Sequence, residues 1–255
     1  MSSLQDPLHV FDPPLVPARL LRRYKRFLAD VVLEEESGNE AETTVHCPNP
    51  GAMTGCADPG MRVWLAPVRN PKARLPYRWV LSETPEGVCI GVDTGRANLL
   101  VHRLLLRGLV PELADYDRIT PEVRLYEKTR VDFLLEDTHS RQPPLMLEVK
   151  SVTLRRGLVL AFPDASTARG RRHLDDLARL AGAGLHRAAV FYLAQRADGD
   201  RVAIAADIDP AYAEAARRAR AAGVRFLARR LRLTPRAIFD DGPLPYCGDQ
   251  PYVEP

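Results

Sequence analysis

The chain has 255 residues, of which 45% are hydrophobic and 27% are charged, and its formal net charge is +3 at pH 7. These proportions are ordinary for a globular protein and exclude a disordered, collagen-like or disulfide-rich chain. No apolar run approaches the roughly 20 residues that span a bilayer, and the N-terminus lacks the basic-then-apolar layout of a signal peptide. We therefore expect a cytoplasmic protein that does not contact membranes.

The cysteines and the charge indicate the redox state of the protein and its possible partners. The four cysteines are Cys47, Cys56, Cys89 and Cys247. In a chain without an export signal, such unevenly spread cysteines are expected to be reduced thiols. The small positive net charge permits nucleic-acid binding without requiring it, so any binding surface must come from local clusters of basic residues.

The chain length fits two domains, and we expect two. Residues 1–13 and 241–255 are proline-rich or aperiodic and predict extended, poorly ordered tails. Short strand-like segments separated by Gly, Pro and Asn then predict a small β-barrel over residues 14–82. These segments are Tyr24–Leu33, Thr43–His46, Met61–Pro67 and Tyr77–Leu81.

After a turn-rich break at residues 83–87, the pattern changes to mixed strands and helices, which predicts a second domain over residues 83–240 and an α/β (α+β) protein as a whole. Helices are predicted over 98–107, from Asp164 at the cap to about 181, and over 212–222. Strands are predicted over 88–92, 122–126, 130–135, 145–150, 158–162, 188–194 and 224–228. The strands over 122–126, 130–135 and 145–150, the first two joined by a turn at 127–129, form a predicted antiparallel meander with 158–162 as its fourth strand.

Two acids and a lysine interrupt apolar runs on two of these strands. Asp132 lies in the run Val131–Leu135, and Glu148 and Lys150 lie in and just after Leu145–Val149. Glu148 and Lys150 share a strand face, and an adjacent strand can bring Asp132 close to them. Two carboxylates can hold Mg²⁺, whose bound water can attack a phosphodiester. The alternative is a salt bridge between Glu148 and Lys150, or solvated charges on an open sheet face.

Arg169 and His173 lie four residues apart on the helix that follows Asp164, so they share a helix face near its N-terminus. Such a terminus attracts anions, and the two side chains could hold a backbone phosphate near the metal. The alternative is a solvated face on which His173 pairs with Asp175 or Asp176.

Basic and aromatic residues interleave over residues 22–27, a pattern that suits nucleic acid because bases stack on aromatics and cations meet phosphates. In a regular strand, Arg22, Tyr24 and Arg26 share the expected binding face. Arg23, Lys25 and Phe27 then share the other face, where Phe27 could anchor the barrel core. The alternative is a solvated charged surface.

The loop from His46 to Cys56 offers fewer ligands than the four that a structural zinc site needs. Its Asn49 amide could instead contact phosphate or substrate. A rigid turn with two buried thiols explains the same residues equally well.

Five blocks in unchanged order resemble the sugar fermentation stimulation protein family, over about residues 14–239. The blocks are Arg23–Asp30, His46–Cys56, Arg130–Phe133, Glu148–Leu154 and Phe162–Ala165. The resemblance implies an N-terminal OB-fold barrel and a C-terminal mixed-sheet domain like the PD-(D/E)XK nucleases, in a DNA-binding protein linked to regulation of sugar metabolism. In that nuclease pattern, Asp132, Glu148 and Lys150 match the catalytic residues, with the two acids as metal ligands. Asn98 stands where many such nucleases carry a glutamate.

Two functions from different classes follow from this resemblance. The first is a nuclease that uses Mg²⁺ or Mn²⁺, and the second is a non-catalytic DNA-binding regulator of sugar metabolism genes that uses the nuclease-like domain as a scaffold. The expected partner in both is nucleic acid, most simply DNA, and the sequence leaves open whether the chain forms a homodimer. The residues expected to bind nucleic acid are Arg22, Tyr24, Lys25, Arg26, Asn49, Arg169 and His173.

Overall fold

The computed structural model describes residues 6–34, 40–126, 129–184 and 186–248, which form three β-sheets and three α-helices. The helices are α1 (Ala97–Leu106), α2 (Ala168–Gly182) and α3 (Pro210–Ala221). The strands are β1 (His9–Val10), β2 (Val16–Tyr24), β3 (Leu28–Glu34), β4 (Glu40–His46), β5 (Arg62–Pro67), β6 (Tyr77–Glu83), β7 (Cys89–Gly91), β8 (Arg118–Tyr126), β9 (Thr129–Glu136), β10 (Leu145–Val152), β11 (Leu154–Arg156), β12 (Val159–Phe162), β13 (Arg187–Ala194), β14 (Arg201–Ile204), β15 (Arg225–Leu233) and β16 (Ala237–Leu244).

The N-terminal part is a closed barrel. Its sheet has the order β4-β3-β2-β5-β6-β7, and a parallel bridge between β4 and β6 closes strands β2 to β6 into the barrel. Alternation along the strands fills the interior, since Ala18 and Leu20 on β2 and Ala29 and Val31 on β3 are fully buried. Because β7 pairs with β6, the barrel sheet continues past the domain boundary predicted at residue 82.

The predicted strand over 24–33 is confirmed over residues 28–33, which lie in β3, but it is wrong at residues 25–27, where the chain makes a hairpin. Tyr24 at the end of β2 pairs with Leu28 at the start of β3, and Lys25, Arg26 and Phe27 form the turn. Lys25 and Arg26 have positive φ angles, 47° and 64°, which place them in the left-handed region. Arg26 therefore does not share a strand face with Arg22 and Tyr24, as a regular strand would require.

The C-terminal part is built on a seven-stranded sheet with the order β1-β16-β15-β13-β10-β9-β8. Strands β10, β13 and β15 are parallel, while β8, β9 and β10 form the predicted antiparallel meander. The predicted fourth strand, over 158–162, is confirmed as β12, but its predicted place in the meander is wrong. β12 lies in a separate sheet with β11 and β14, because the chain reverses at Gly157 (φ 57°) and the second edge of β10 is taken by β13. The predicted turn at 127–129 lies largely outside the described residues.

Helices cover both faces of this sheet. On one face, Leu100 and Leu104 of α1 pack in the same core as Phe133 and Phe191. On the other face, α2 and α3 cover Met146, Val190 and Tyr192. None of the helices in the described ranges combines the length and apolarity that crossing a bilayer requires.

Helix α2 begins later than predicted. Its cap is Thr167, whose hydroxyl accepts a hydrogen bond from the Gly170 N–H at 3.0 Å. Asp164, the predicted cap, instead accepts a hydrogen bond from the Met53 N–H at 3.0 Å. The helix start is therefore set by a threonine, and the aspartate is left to contact the barrel.

The tail prediction is wrong for residues 6–13 and 241–248. Strand β1 pairs with β16, and Leu8 and Phe11 are buried in the core beneath α1. At the other end, Tyr246 stacks on Phe226 and Tyr192 with ring centroids 4.9 and 5.5 Å apart. Apolar side chains spaced too sparsely to show periodicity thus anchor both ends. The four cysteines are free thiols, as predicted.

Strand β1 contains a pH-sensitive contact at His9. His9 is partly buried, and the guanidinium groups of Arg96 and Arg103 lie 3.0 and 2.9 Å from its two ring nitrogens. Burial, together with repulsion from these two cations, lowers the pKa of His9 to about 4. The folded state therefore favours the neutral ring.

We expect stability to fall as the pH drops from about 6.5 to about 4, because in that window the unfolded chain protonates His9 and the folded chain does not. His9→Gln, which cannot be protonated, should reduce this slope. The measurement is the urea midpoint of both proteins across that pH range. Identical slopes would exclude His9 as the cause, since every other titrating group is common to the two proteins.

Candidate active site

The pairing of β9 with β10 ends next to Asp132 and Glu148. The last paired residues are Phe133 and Leu147, and two residues beyond Leu147 the Val149 N–H donates to Asp132 Oδ2 at 2.7 Å. Asn98 of α1 donates to the other oxygen, Oδ1, at 2.7 Å. The Asp132 carboxylate is thus fixed between two strands and a helix, next to Glu148.

Glu148 and Lys150 lie on the α2 side of β10. The Lys150 ammonium donates to Glu148 Oε1 at 2.7 Å, and His173 Nδ1 contacts the same oxygen. Glu148 is only 4% exposed, so its charge depends on these partners. The sequence also allowed His173 to pair with Asp175 or Asp176. In the structure His173 instead contacts Glu148.

Arg169 favours one tautomer of the neutral His173 ring. Arg169 Nε lies 3.4 Å from His173 Nε2, and because a guanidinium can only donate, that ring nitrogen accepts. In the neutral ring the proton is then on Nδ1, which faces Glu148. Because Arg169 and His173 are four residues apart on α2, they contact each other, and His173 links the start of α2 to the buried Glu148.

The two carboxylates influence each other. Burial and then the negative charge of Glu148 raise the pKa of Asp132 above its ordinary value. Burial alone would also raise the pKa of Glu148, but Lys150 and His173 outweigh it and hold that pKa below its ordinary value. The negative charge of Glu148 is thus well compensated by its neighbours, whereas that of Asp132 is poorly compensated.

A cavity of about 670 Å³ lies between the barrel and the second sheet, and the site opens into it. Its charged and amide lining comes from several elements, namely Arg26 and Asn49 of the barrel, Asn98 of α1, Lys150 of β10, Asp164 and Arg169. The cleft therefore brings together residues that lie more than 100 positions apart in the sequence.

One wall of the cleft is the loop over residues 47–56, which Arg23 and Asn49 hold. Arg23 Nη2 donates to the carbonyl oxygens of Asn49 at 2.8 Å and Gly51 at 3.0 Å. The Asn49 side chain is 3% exposed, donating to the Val92 carbonyl at 3.0 Å and accepting from the Gly51 N–H at 2.8 Å. Because both ends of its amide are engaged, we no longer expect Asn49 to contact nucleic acid through its side chain. Its role in the structure is to shape the loop.

Asp164 joins this loop to the second domain. Besides accepting from the Met53 N–H, its carboxylate lies so close to Gly51 that a Cβ atom there would overlap it. A glycine is needed at this position for close approach. Neither Arg23 nor Asp164 was expected to build the site, because no periodic or motif signal marks a contact between distant loops.

The remaining predicted binding residues lie apart from the cleft lining. Arg22 Nε and the Tyr24 hydroxyl both donate to Asp30, at 2.8 and 3.0 Å, and the Arg22 guanidinium lies over the Tyr24 ring. Lys25 is exposed in the hairpin turn. Arg22 and Tyr24 thus form a cluster on the outer barrel surface.

Within the described ranges, no group of three or more His, Cys, Asp and Glu side chains is arranged to hold a metal ion. The oxygen ligands that the site itself could offer a cation are the carboxylates of Asp132 and Glu148. Mg²⁺ commonly binds in that way, through one or two carboxylates, keeping several waters.

A closed OB-like barrel followed by a mixed sheet with few helices defines a two-domain α/β protein. Residues 21–92 match the sequence model of the SfsA N-terminal OB domain, and residues 95–237 match that of the sugar fermentation stimulation protein RE domain. The chain belongs to the sugar fermentation stimulation protein family.

Relatives with this name cover almost the whole chain. A sugar fermentation stimulation protein homolog from Ruegeria pomeroyi is 48% identical over 229 residues, covering 89% of this chain and 96% of its own. One from Azorhizobium caulinodans is 46% identical over 242 residues, covering 93% and 99%. The solved structure of Pyrococcus furiosus SfsA in complex with Ca²⁺ is similar with a TM-score of 0.84, at 26% identity over 94% of this chain and 99% of that one.

Proposed function

We propose that the protein is a divalent-metal-dependent phosphodiesterase that cleaves nucleic acid, with DNA as the expected substrate. The observation that carries the proposal is that Asp132 and Glu148 come together with Lys150, which lines the cleft next to an OB-type barrel. Two acids and one lysine suit this chemistry, and OB folds commonly bind nucleic acid.

The residues present fit Mg²⁺ or Mn²⁺. Both acids offer oxygen ligands, and the raised pKa of Asp132, caused by burial and then by Glu148, marks negative charge that a cation would compensate. The two contacts to Glu148 fall on the single oxygen Oε1. The related Pyrococcus furiosus protein was solved with Ca²⁺, another cation that prefers oxygen ligands.

Each neighbouring side chain has a distinct part in this chemistry. A metal held by Asp132 and Glu148 would supply an acidified water and polarise the phosphate. Asn98 and the Val149 N–H orient the Asp132 carboxylate, while His173 orients Glu148. The Lys150 ammonium, now on Glu148, stabilises the negative charge that develops on the phosphate in the transition state.

The cleft supports substrate binding through its cations. Arg26 from the barrel and Arg169 from α2 line it with Lys150. A strand lying in the cleft would place its phosphates against these three groups, which supplies affinity that weakens with salt. The hydrogen bond from the Met53 N–H of the barrel loop to Asp164 keeps the two walls together while this occurs.

A second function, binding without cleavage, is favoured by one observation. Glu148 already has two positively polarised partners, Lys150 and His173, so its charge is balanced without a metal. The domain would then be a scaffold, and a regulatory role in sugar metabolism would rest on nucleic-acid binding alone.

A metal and substrate panel tests the proposal. Titration calorimetry with Mg²⁺ and Mn²⁺ should detect a cation site, and purified protein with either metal should cut at least one of single-stranded DNA, duplex DNA or RNA, with cleavage lost in a chelator. Binding to nucleic acid without cleavage under any condition would reject the enzyme and support the scaffold. Absence of both binding and cleavage would reject both functions.

A further inference from the structure

The tip of the β2–β3 hairpin carries large side chains in an unfavourable backbone conformation. Lys25 and Arg26 have positive φ angles of 47° and 64°, where Gly or Asn would avoid the steric cost. All three turn residues are exposed, and Phe27 leaves 44% of its surface exposed instead of anchoring the barrel core. Strained residues of this kind concentrate at binding and catalytic sites.

The tip is fixed in place beside the cleft. Arg23 Nη2 donates to the Arg26 carbonyl at 2.9 Å, and the Cys47 N–H donates to the Phe27 carbonyl at 2.9 Å. Arg23 also holds the loop that forms the cleft wall, and Arg26 itself lines the cleft. Phe27 therefore lies in a hydrogen-bonded turn beside the cleft, with a cation on each of the two preceding residues.

We propose that Phe27 stacks on an unpaired base of a nucleic-acid strand while Lys25 and Arg26 contact its phosphates, so that the hairpin tip selects single strands over duplexes. This inference rests on the proposed function only in requiring nucleic acid as the ligand. An exposed aromatic ring next to cations matches the flat base and charged backbone of one nucleotide.

Tyr24, the other aromatic residue of this hairpin, does not offer the same surface. The Tyr24 hydroxyl is bonded to Asp30 and its ring is covered by Arg22 at 5.0 Å. In a duplex the base faces are already stacked, so the Phe27 ring could reach one only after unstacking and unpairing. A partner protein would also cover an exposed phenyl ring, but the two adjacent cations favour a polyanion.

The test measures affinity by fluorescence anisotropy in a chelator, so that cleavage cannot interfere. The probes are a thymidylate strand of about 16 nucleotides, long enough for an OB-fold site, and a duplex of the same length. Phe27→Ala should weaken single-strand binding about 5- to 150-fold, the range for losing one stacked base, and leave duplex binding unchanged. Phe27→Trp should keep the affinity, and its fluorescence should be quenched on binding.

Abasic substitution separates stacking from a general loss of contact. One abasic position in the strand should weaken wild-type binding by the same factor as Phe27→Ala, and should cause no further loss in that variant. Leu158→Ala, which removes a side chain that is 56% exposed at another hairpin, is the matched control and should change nothing.

Equal losses for single strands and duplexes, an unchanged single-strand affinity in Phe27→Ala, or no wild-type binding would each overturn the inference. Cleavage assays distinguish this failure from failure of the proposed function. A wild type that cleaves, with Phe27→Ala fully competent to bind, rejects only the stacking role. A wild type that does not cleave, with the abasic coupling present, rejects only the enzyme.

Discussion

Asp132→Asn should lower metal-dependent cleavage about 10²- to 10³-fold, the loss typical of removing one group that stabilises transition-state charge. It should also weaken cation binding measured by calorimetry. The same change should stabilise the fold near neutral pH, because burial and Glu148 raise the pKa of the ionised Asp132 in the folded state. The new amide can accept from the Val149 N–H and donate to a reoriented Asn98 side chain, so the local hydrogen bonds persist.

The sign of the stability change follows from linkage. A carboxyl whose pKa is raised on folding costs stability above that pKa, and the cost disappears below its unfolded value near 3.8. The gain from Asp132→Asn should therefore shrink as the pH falls toward 3.8. Glu136→Gln, on the same strand and away from the site, is the control. Wild-type cleavage with full metal affinity in Asp132→Asn would rule out Asp132 as a ligand.

The acids and lysine of the site could be found from sequence because each breaks a local pattern. Asp132 and Glu148 interrupt apolar runs, and the two-residue period puts Lys150 on the face of Glu148. The strands that carry these residues, β9 and β10, form with β8 the meander that the pattern predicted. Local rules sufficed because strand periodicity is itself local.

The hairpin at residues 25–27 could not be found in this way. The usual signal for so tight a turn is Gly or Asn at the left-handed positions, and Lys25 and Arg26 give no such signal. The surrounding run of basic and aromatic residues looked like an uninterrupted strand. Tertiary contacts from Arg23 stabilise a conformation that the local sequence does not favour.

Contacts between distant segments were beyond sequence reasoning for a different reason. The Met53 and Asp164 contact spans 111 residues, and β1 is only two residues long. Neither has a periodicity that could be recognised. An aspartate after a proline predicts a helix cap by local rules, yet the barrel loop provides a donor that only the folded chain brings near.

Asp240→Ala should destabilise the protein by about 3–5 kcal/mol, because it leaves a buried guanidinium without its partner. Arg229 and Asp240 are each 6% exposed, and Arg229 Nε donates to Asp240 Oδ1 at 2.6 Å in a bidentate pair between β15 and β16. Stabilities of ordinary domains are about 5–15 kcal/mol, so this loss should move the urea midpoint strongly.

Replacing both partners separates the pair's net contribution from the cost of breaking it. Arg229→Met with Asp240→Leu leaves no buried charge, and such replacements are often neutral or stabilising by about 1–4 kcal/mol. Glu34→Ala breaks the exposed Arg62–Glu34 pair, whose side chains are 51% and 40% accessible, and should cost no more than about 1 kcal/mol. If Asp240→Ala were no more damaging than Glu34→Ala, burial would not be what makes this pair costly to break.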